Sequence, residues 1–337
     1  MRAPAGPARE GERGVTLVEL MIGMLILGVV VASAFSVAFA IMNGYSEHRR
    51  AIAVERSARG AMAVLAEAAR NASPGVPDGN IVDLVGCEET GRGIQVENSS
   101  AAPDALNVIY ADGGVVSSLR LPFDQASTEL RVEDGSLLAA GDQVLVTDFT
   151  RGHLVAVQTV TEAGPADWVV ELAGAPTTLC AVVASFSYPP RATVLRVQKA
   201  RFFIDAAGGV PALWMDPDGA TGARQPEPIA EGIEDLQVAV GIDRDGDGRI
   251  GEDQAASGDD DDWVFNHPSD SAPALMTITP YRALRLTVTA RSLDDTSESP
   301  VSRRPAAEDR SEAAERDELR RRSLSTTVEI RNLEGSP

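Results

Sequence analysis

"GVTLVELMIGMLILGVV", residues 14–30, is an apolar run that carries a single acid, Glu19, near its start. No residue between Glu19 and Glu47 bears a formal charge, and roughly 20 apolar residues in a helix are enough to cross a bilayer. The stretch predicts one membrane-spanning helix. The segment before it, "MRAPAGPAREGERG", is polar and contains proline, with Arg2, Arg9 and Arg13 to hold it on the cytoplasmic side by the positive-inside rule. A conventional secretory signal breaks after its apolar core, beside small residues. Here the polar-to-apolar break precedes the core, at Gly14/Val15.

Glu19 needs a partner, because a carboxylate at membrane depth costs about 2.5 to 3.5 kcal/mol on insertion scales. Cleavage after Gly14 would create an α-amino group on Val15, one helical turn from Glu19. That amine could neutralise the Glu19 carboxylate of a neighbouring, staggered helix, giving a lateral contact and a register. On this reading the acid is an assembly device. "RGVTLVELMIGMLILGVV" resembles the class III signal of type IV pilins and pseudopilins, with Gly14 at the cleavage position and Glu19 as the fifth residue of the mature chain. The resemblance implies cleavage by a prepilin peptidase, N-methylation of Val15, and a helix that packs in a filament core. Val15 stands where the family usually has phenylalanine.

The 337 residues, 44% of them hydrophobic, suffice for one large or two modest globular units. A formal charge of −20 repels phosphate backbones and anionic headgroups, so no nucleic-acid partner is expected. The three histidines (His48, His153, His267) and two cysteines (Cys87, Cys180) are far apart, which leaves little material for zinc clusters or Cys/His catalysis. No G-x-S-x-G, P-loop or H-E-x-x-H is present, and the chain is not expected to be an enzyme. His153 and His267 read as surface residues, and Trp168, Trp214 and Trp263 as core or turn anchors.

Downstream texture predicts an α+β fold: a long N-terminal helix packed on a mainly antiparallel sheet. Residues 1–14 form the leader, 15–44 the membrane or filament-core helix, 45–72 its amphipathic extension, and 73–337 a β-rich periplasmic domain. Ile52, Leu65 and the alanines of the extension make a narrow apolar stripe, and "NASPGVPDG" breaks the helix near Asn71. "ALNVIYA", "DQVLVTDF", "HLVAVQTV", "DWVVELA" and "LCAVVASFSY" read as strands. "TVLRVQKARFFID" and "GVPALWMDPDG" read as a hairpin turning at "AAGG", followed by strands in "GIEDLQVAVGID", "YRALRLTVTAR" and "LSTTVEIRNL". The charged stretch 292–322 reads as an exposed excursion with a short helix in "AAERDELRRR".

The C-terminal order of "PIAEGIEDLQVAVGIDRDGDGRIGED", "YRALRLTVTARS" and "TTVEIRN" resembles PilW-type minor pilins. It implies a minor subunit that primes or caps a type IV pilus. The implied partners are other major and minor pilins, prepilin peptidase and an inner-membrane assembly platform. It also implies a single-pass inner-membrane form that moves into a surface filament. A J-type minor pseudopilin of type II secretion shares this layout, and a calcium-dependent tip adhesin anchored by the helix is a further alternative.

"DRDGDGRIGEDQ" follows the EF-hand pattern through Asp243, Asp245, Asp247 and Ile250, with Arg249 placed to offer its backbone carbonyl. Position 12 is Gln254, so Glu252 or Asp253 must supply the carboxylate, or Asp259 to Asp262 must fold back. No cofactor is required; Ca²⁺ is the one candidate, with an acidic hairpin tip kept polar for solubility as the alternative. In an oxidising compartment two cysteines favour one disulfide, Cys87 to Cys180, over two buried thiols.

Overall fold

The computed structural model describes residues 15–76, 81–84, 88–89, 93–180, 184–206, 208–217, 224–243, 249–251, 262–268, 281–293 and 301–330. It divides into two compact units, Met1–Ile52 and Ala53–Pro337. Helix α1 spans Leu17–Arg70. Its sequence contains no proline and is rich in alanine, leucine and methionine, which favours helix throughout. In the first unit the large side chains from Val15 to Met42 are exposed.

In the second unit the helix buries Val54, Ala58, Ala61, Leu65 and Ala69, a spacing of three and four that sets one stripe on one face. Val54 begins that stripe. Ile52, expected in it, is 67% exposed. The helix stops where Ser73 (φ 53°) and Gly75 (φ 67°) take left-handed backbone and the Ser73 amide donates to the Ile109 carbonyl at 2.9 Å.

Strands β1 (Ile81–Asp83), β2 (Glu88–Glu89), β3 (Ile94–Glu97), β4 (Ala105–Ser118), β5 (Phe123–Asp124) and β6 (Glu129–Val132) follow. Then come β7 (Gln143–Thr147), β8 (Gly152–Gly164), β9 (Asp167–Leu172), the short helix α2 (Pro176–Leu179), β10 (Ser187–Tyr188), β11 (Thr193–Asp205) and β12 (Ala212–Asp216). The last are β13 (Glu227–Glu231), β14 (Ile233–Gly241), β15 (Trp263–Val264), β16 (Ala283–Arg291) and β17 (Arg321–Glu329). The larger sheet runs β13-β12-β11-β7-β8-β1-β2, with β4 also on β11 and β9 also on β8. The smaller one runs β15-β14-β16-β17. Pairing is antiparallel except between β1 and β8. The expected hairpin is β11 and β12, with Phe202 opposite Met215. Of the strand expected through "LCAVVASFSY", Leu179 ends α2, which Pro176 opens, Ser187 and Tyr188 form β10, and residues 181–183 lie outside the described residues.

Period-two alternation splits the smaller sheet into unlike faces. Leu236, Val238, Val240, Leu284, Leu286, Val288 and Val328 join Val54, Leu65, Leu106 and Phe202 in one core. Each large side chain so buried contributes about 1.5 to 3 kcal/mol. The opposite face carries Asp235, Gln237, Arg285, Thr287 and Thr289.

That polar face is where the charged excursion departs from expectation. Residues 301–320 form a strap tied across it, and they contain no helix. Glu308 accepts from Arg285 Nη2 at 2.8 Å and from Thr287 Oγ1 at 2.8 Å. Arg304 and Arg310 both donate to the Asp235 carboxylate. Arg321 joins Glu234 to Asp317, and Ser302 and Asp317 form a backbone bridge. These long-range ion pairs override the local helix preference of "AAERDELRRR".

Candidate functional site

Helix α1 starts one residue after Thr16, and Glu19 occupies its third position. Glu19 Oε2 accepts the Thr16 backbone N–H at 2.9 Å and the Thr16 hydroxyl at 3.0 Å, while Thr16 Oγ1 accepts the Glu19 N–H at 3.3 Å. This is a reciprocal capping box, which satisfies orphan donors at the helix start. Its sequence signal is T-x-x-E, from Thr16 to Glu19. Among the described residues nothing is hydrogen-bonded to Glu19 Oε1. Val15 is 74% exposed, and Gly14 lies outside the described residues. Beyond the cap, the helix is long and apolar enough to cross a membrane by length and composition.

A family model described as the prokaryotic N-terminal methylation motif matches residues 10–35. A second, described as type IV pilus-assembly protein W, matches residues 201–332, from β11 to the end of β17. The two matched segments, an N-terminal methylation motif and a PilW-type C-terminal region, are those of a PilW-type, type IV pilin-like protein. A type IV-like pilin from Thermus thermophilus is 11% identical, with a TM-score of 0.38 over 84% of this chain and 96% of that one. No curated protein matches. The apolar helix and the methylation motif together suggest membrane anchoring, with the domain of residues 53–337 beyond it.

Within the PilW region the acidic loop joins β14 to β15, whose ends pair as Val240 with Val264 and Gly241 with Trp263. A strand hairpin therefore carries the loop, not a helix pair. Of the proposed ligands, Asp243 and Arg249 are described; Asp245, Asp247, Glu252 and Asp253 lie outside the described residues. Asp262 is buried at the loop's return, and its carboxylate accepts the Gly251 N–H at 2.8 Å. Among the described residues no group of three or more His, Cys, Asp or Glu side chains is arranged to hold a metal.

Cys180 is buried, with its Sγ 3.4 Å from the Leu84 carbonyl oxygen; Cys87 lies outside the described residues. His153, expected at the surface, is buried instead: its ring stacks on Phe186 with centroids 3.9 Å apart. Its Nδ1 shares a 2.6 Å hydrogen bond with the Tyr188 hydroxyl. Burial drives the His153 imidazolium down to about 4, and raises the Tyr188 phenol. Sequence spacing missed this pair because its members stand 35 residues apart.

Proposed function

We propose that this chain is a minor pilin that primes or caps assembly of a type IV pilus. Prepilin peptidase cuts between Gly14 and Val15, and Val15 is then N-methylated. The helix is stored in the inner membrane and drawn into a filament, with the domain first periplasmic and then at the cell surface. Partners are the other pilins and the inner-membrane platform. The observation that carries the reading is Glu19: one carboxylate oxygen holds the helix cap and the other is available to the Val15 amine of a neighbour. In the domain, a Cys87–Cys180 disulfide would tie the segment after β1 to the loop before β10. Leu84, three residues before Cys87, already touches Cys180.

The test is intact mass and N-terminal analysis of the protein from sheared filaments and from membranes, for wild type and Glu19→Ala. A mature chain beginning at N-methylated Val15, present in wild-type filaments and retained in membranes for the variant, supports the assembly role. An uncut Met1 terminus, or a variant that assembles normally, reduces the helix to an anchor. Secretion loss without pilus loss in a null strain would assign the chain to a type II pseudopilus.

A further inference from the structure

The smaller sheet ends on β17, and no strand among the described residues closes that edge. β17 is nine residues long and pairs with β16 from Arg321 opposite Arg291 to Glu329 opposite Ala283, without a register shift. The Ser292 N–H donates to the Arg320 carbonyl at 2.8 Å and the Ile330 N–H to the Arg282 carbonyl at 3.0 Å, so even-numbered residues turn their backbone groups toward β16. The amides and carbonyls of Arg321, Ser323, Ser325, Thr327 and Glu329 point the other way, and among the described residues no hydrogen bond reaches them. Ser323, Ser325, Thr327 and Glu329 are exposed.

The other outer strands are blunted. β13 carries Pro228, its pairing with β12 shifts between Leu213 and Trp214, and the Ser57 hydroxyl donates to its Glu231 carbonyl. β15 and β2 have two residues each, and β3 and β6, with one strand partner each, have four. Long regular edges are normally protected in such ways, because their unpaired groups are a template for another strand. β17 has no proline and no shift, and it is uncharged from Ser323 to Val328.

We propose that β17 is a pairing edge for a second copy of this chain, joined antiparallel about a two-fold axis at Ser325. The strand's own sequence selects that occupant. In this register Ser325 faces itself, Ser323 faces Thr327 and Arg321 faces Glu329, so outward backbone groups meet outward backbone groups and exchange about ten hydrogen bonds. A slip of one residue would lose that match. The arginine end, Arg320 to Arg322, lies against the Glu329 end of the other copy, and no like charges stand opposite one another. On the core side, the half-buried Leu324, already packed against the main core, would have its open flank covered by Thr326 of the other copy. A two-fold contact also closes on itself, so the edge is used up without propagating. The pairing uses neither Glu19 nor the apolar half of α1 and stands apart from the assembly role proposed above.

Disulfide trapping in membranes of cells expressing the full chain tests this, with the wild-type chain as background. Cα atoms opposed in a hydrogen-bonded antiparallel pair are about 5.5 Å apart, within disulfide reach, whereas the two copies of Ser323 would lie about 14 Å apart. Ser325→Cys should give a reducible dimer at a yield at least about fivefold above Ser323→Cys, and adding Thr327→Cys to the latter should restore the dimer. Thr327→Pro removes an outward N–H and leaves the β16 ladder intact, so it should abolish the Ser325→Cys dimer. Glu329→Arg, which sets like charges opposite Arg321, should lower the yield several-fold and serves where the proline variant does not fold. Glu19→Ala should leave the yield unchanged. No dimer from Ser325→Cys, equal trapping from Ser323→Cys, a dimer that survives Thr327→Pro or Glu329→Arg, or one that disappears with Glu19→Ala would each overturn the pairing. A cross-link to a different protein in place of the dimer would overturn the second copy as the occupant.

Discussion

Glu19 reaches back to the Thr16 amide at 2.9 Å while the Thr16 hydroxyl receives the Glu19 amide at 3.3 Å. One acid therefore has two separable duties, helix cap and charge. Glu19→Gln keeps an acceptor for Thr16 and removes the charge; Thr16→Val removes the cap, at about 1 kcal/mol, and keeps the charge. If assembly rests on charge, the Glu19→Gln variant is absent from sheared filaments and the Thr16→Val variant is present at near wild-type levels by immunoblot. The reverse pattern would assign assembly to the cap.

Lys199 Nζ lies 2.9 Å from Asp83 Oδ2, joining β11 to β1, and both residues are buried. Removing one partner breaks a buried ion pair between these strands, so Asp83→Leu should cost about 3 to 5 kcal/mol in urea unfolding. Adding Lys199→Met to that variant should recover most of the loss. A single variant as stable as wild type would mean that water reaches the pair.

His153 is neutral in the fold because burial depresses its titration to about 4 from 6.5. Between those values the unfolded chain binds the proton that the folded chain refuses, so stability falls as pH drops from about 6.5 toward about 4. The full loss from this group is about 3 kcal/mol. His153→Phe should flatten that limb of a pH series of urea midpoints, and an unchanged limb would place the linkage elsewhere.

The proposed Cys87–Cys180 link closes a long loop, so its reduction should lower stability by about 4 kcal/mol in the chain-entropy model. Non-reducing peptide mapping checks the pairing directly. Recovery of both cysteines as alkylated thiols from protein isolated without reductant would exclude it.

Calcium is a proposal carried by the loop spacing alone. Titration of the chain with CaCl₂ should show saturation in the range of about 10⁻⁴ to 10⁻³ M, as for extracellular sites of this type, and Asp243→Asn should weaken it. No heat and no change in thermal midpoint up to about 10 mM would leave the loop as an acidic hairpin tip.

Local order was legible wherever one period dominated. The uncharged run after Glu19, the breakers after Arg70 and the β11–β12 hairpin all follow from residues within a few positions of one another. The capping box is equally local, a T-x-x-E signal from Thr16 to Glu19, though an acid in an apolar run points as readily to a partner on another helix.

Other features depended on partners distant in the chain. "AAERDELRRR" has the composition of a helix, yet Asp317 bonds to Ser302 and Arg321 binds Glu234 across 87 residues. His153 carries no mark of burial until Phe186 and Tyr188 close over it. The sequence by itself determined the apolar anchor, the helix and the alternating strands, since burial periodicity and helix propensity act over neighbours. Only the tertiary structure decided which charges leave water, because the cost of burying a charge is met by a partner that the fold brings in from elsewhere in the chain.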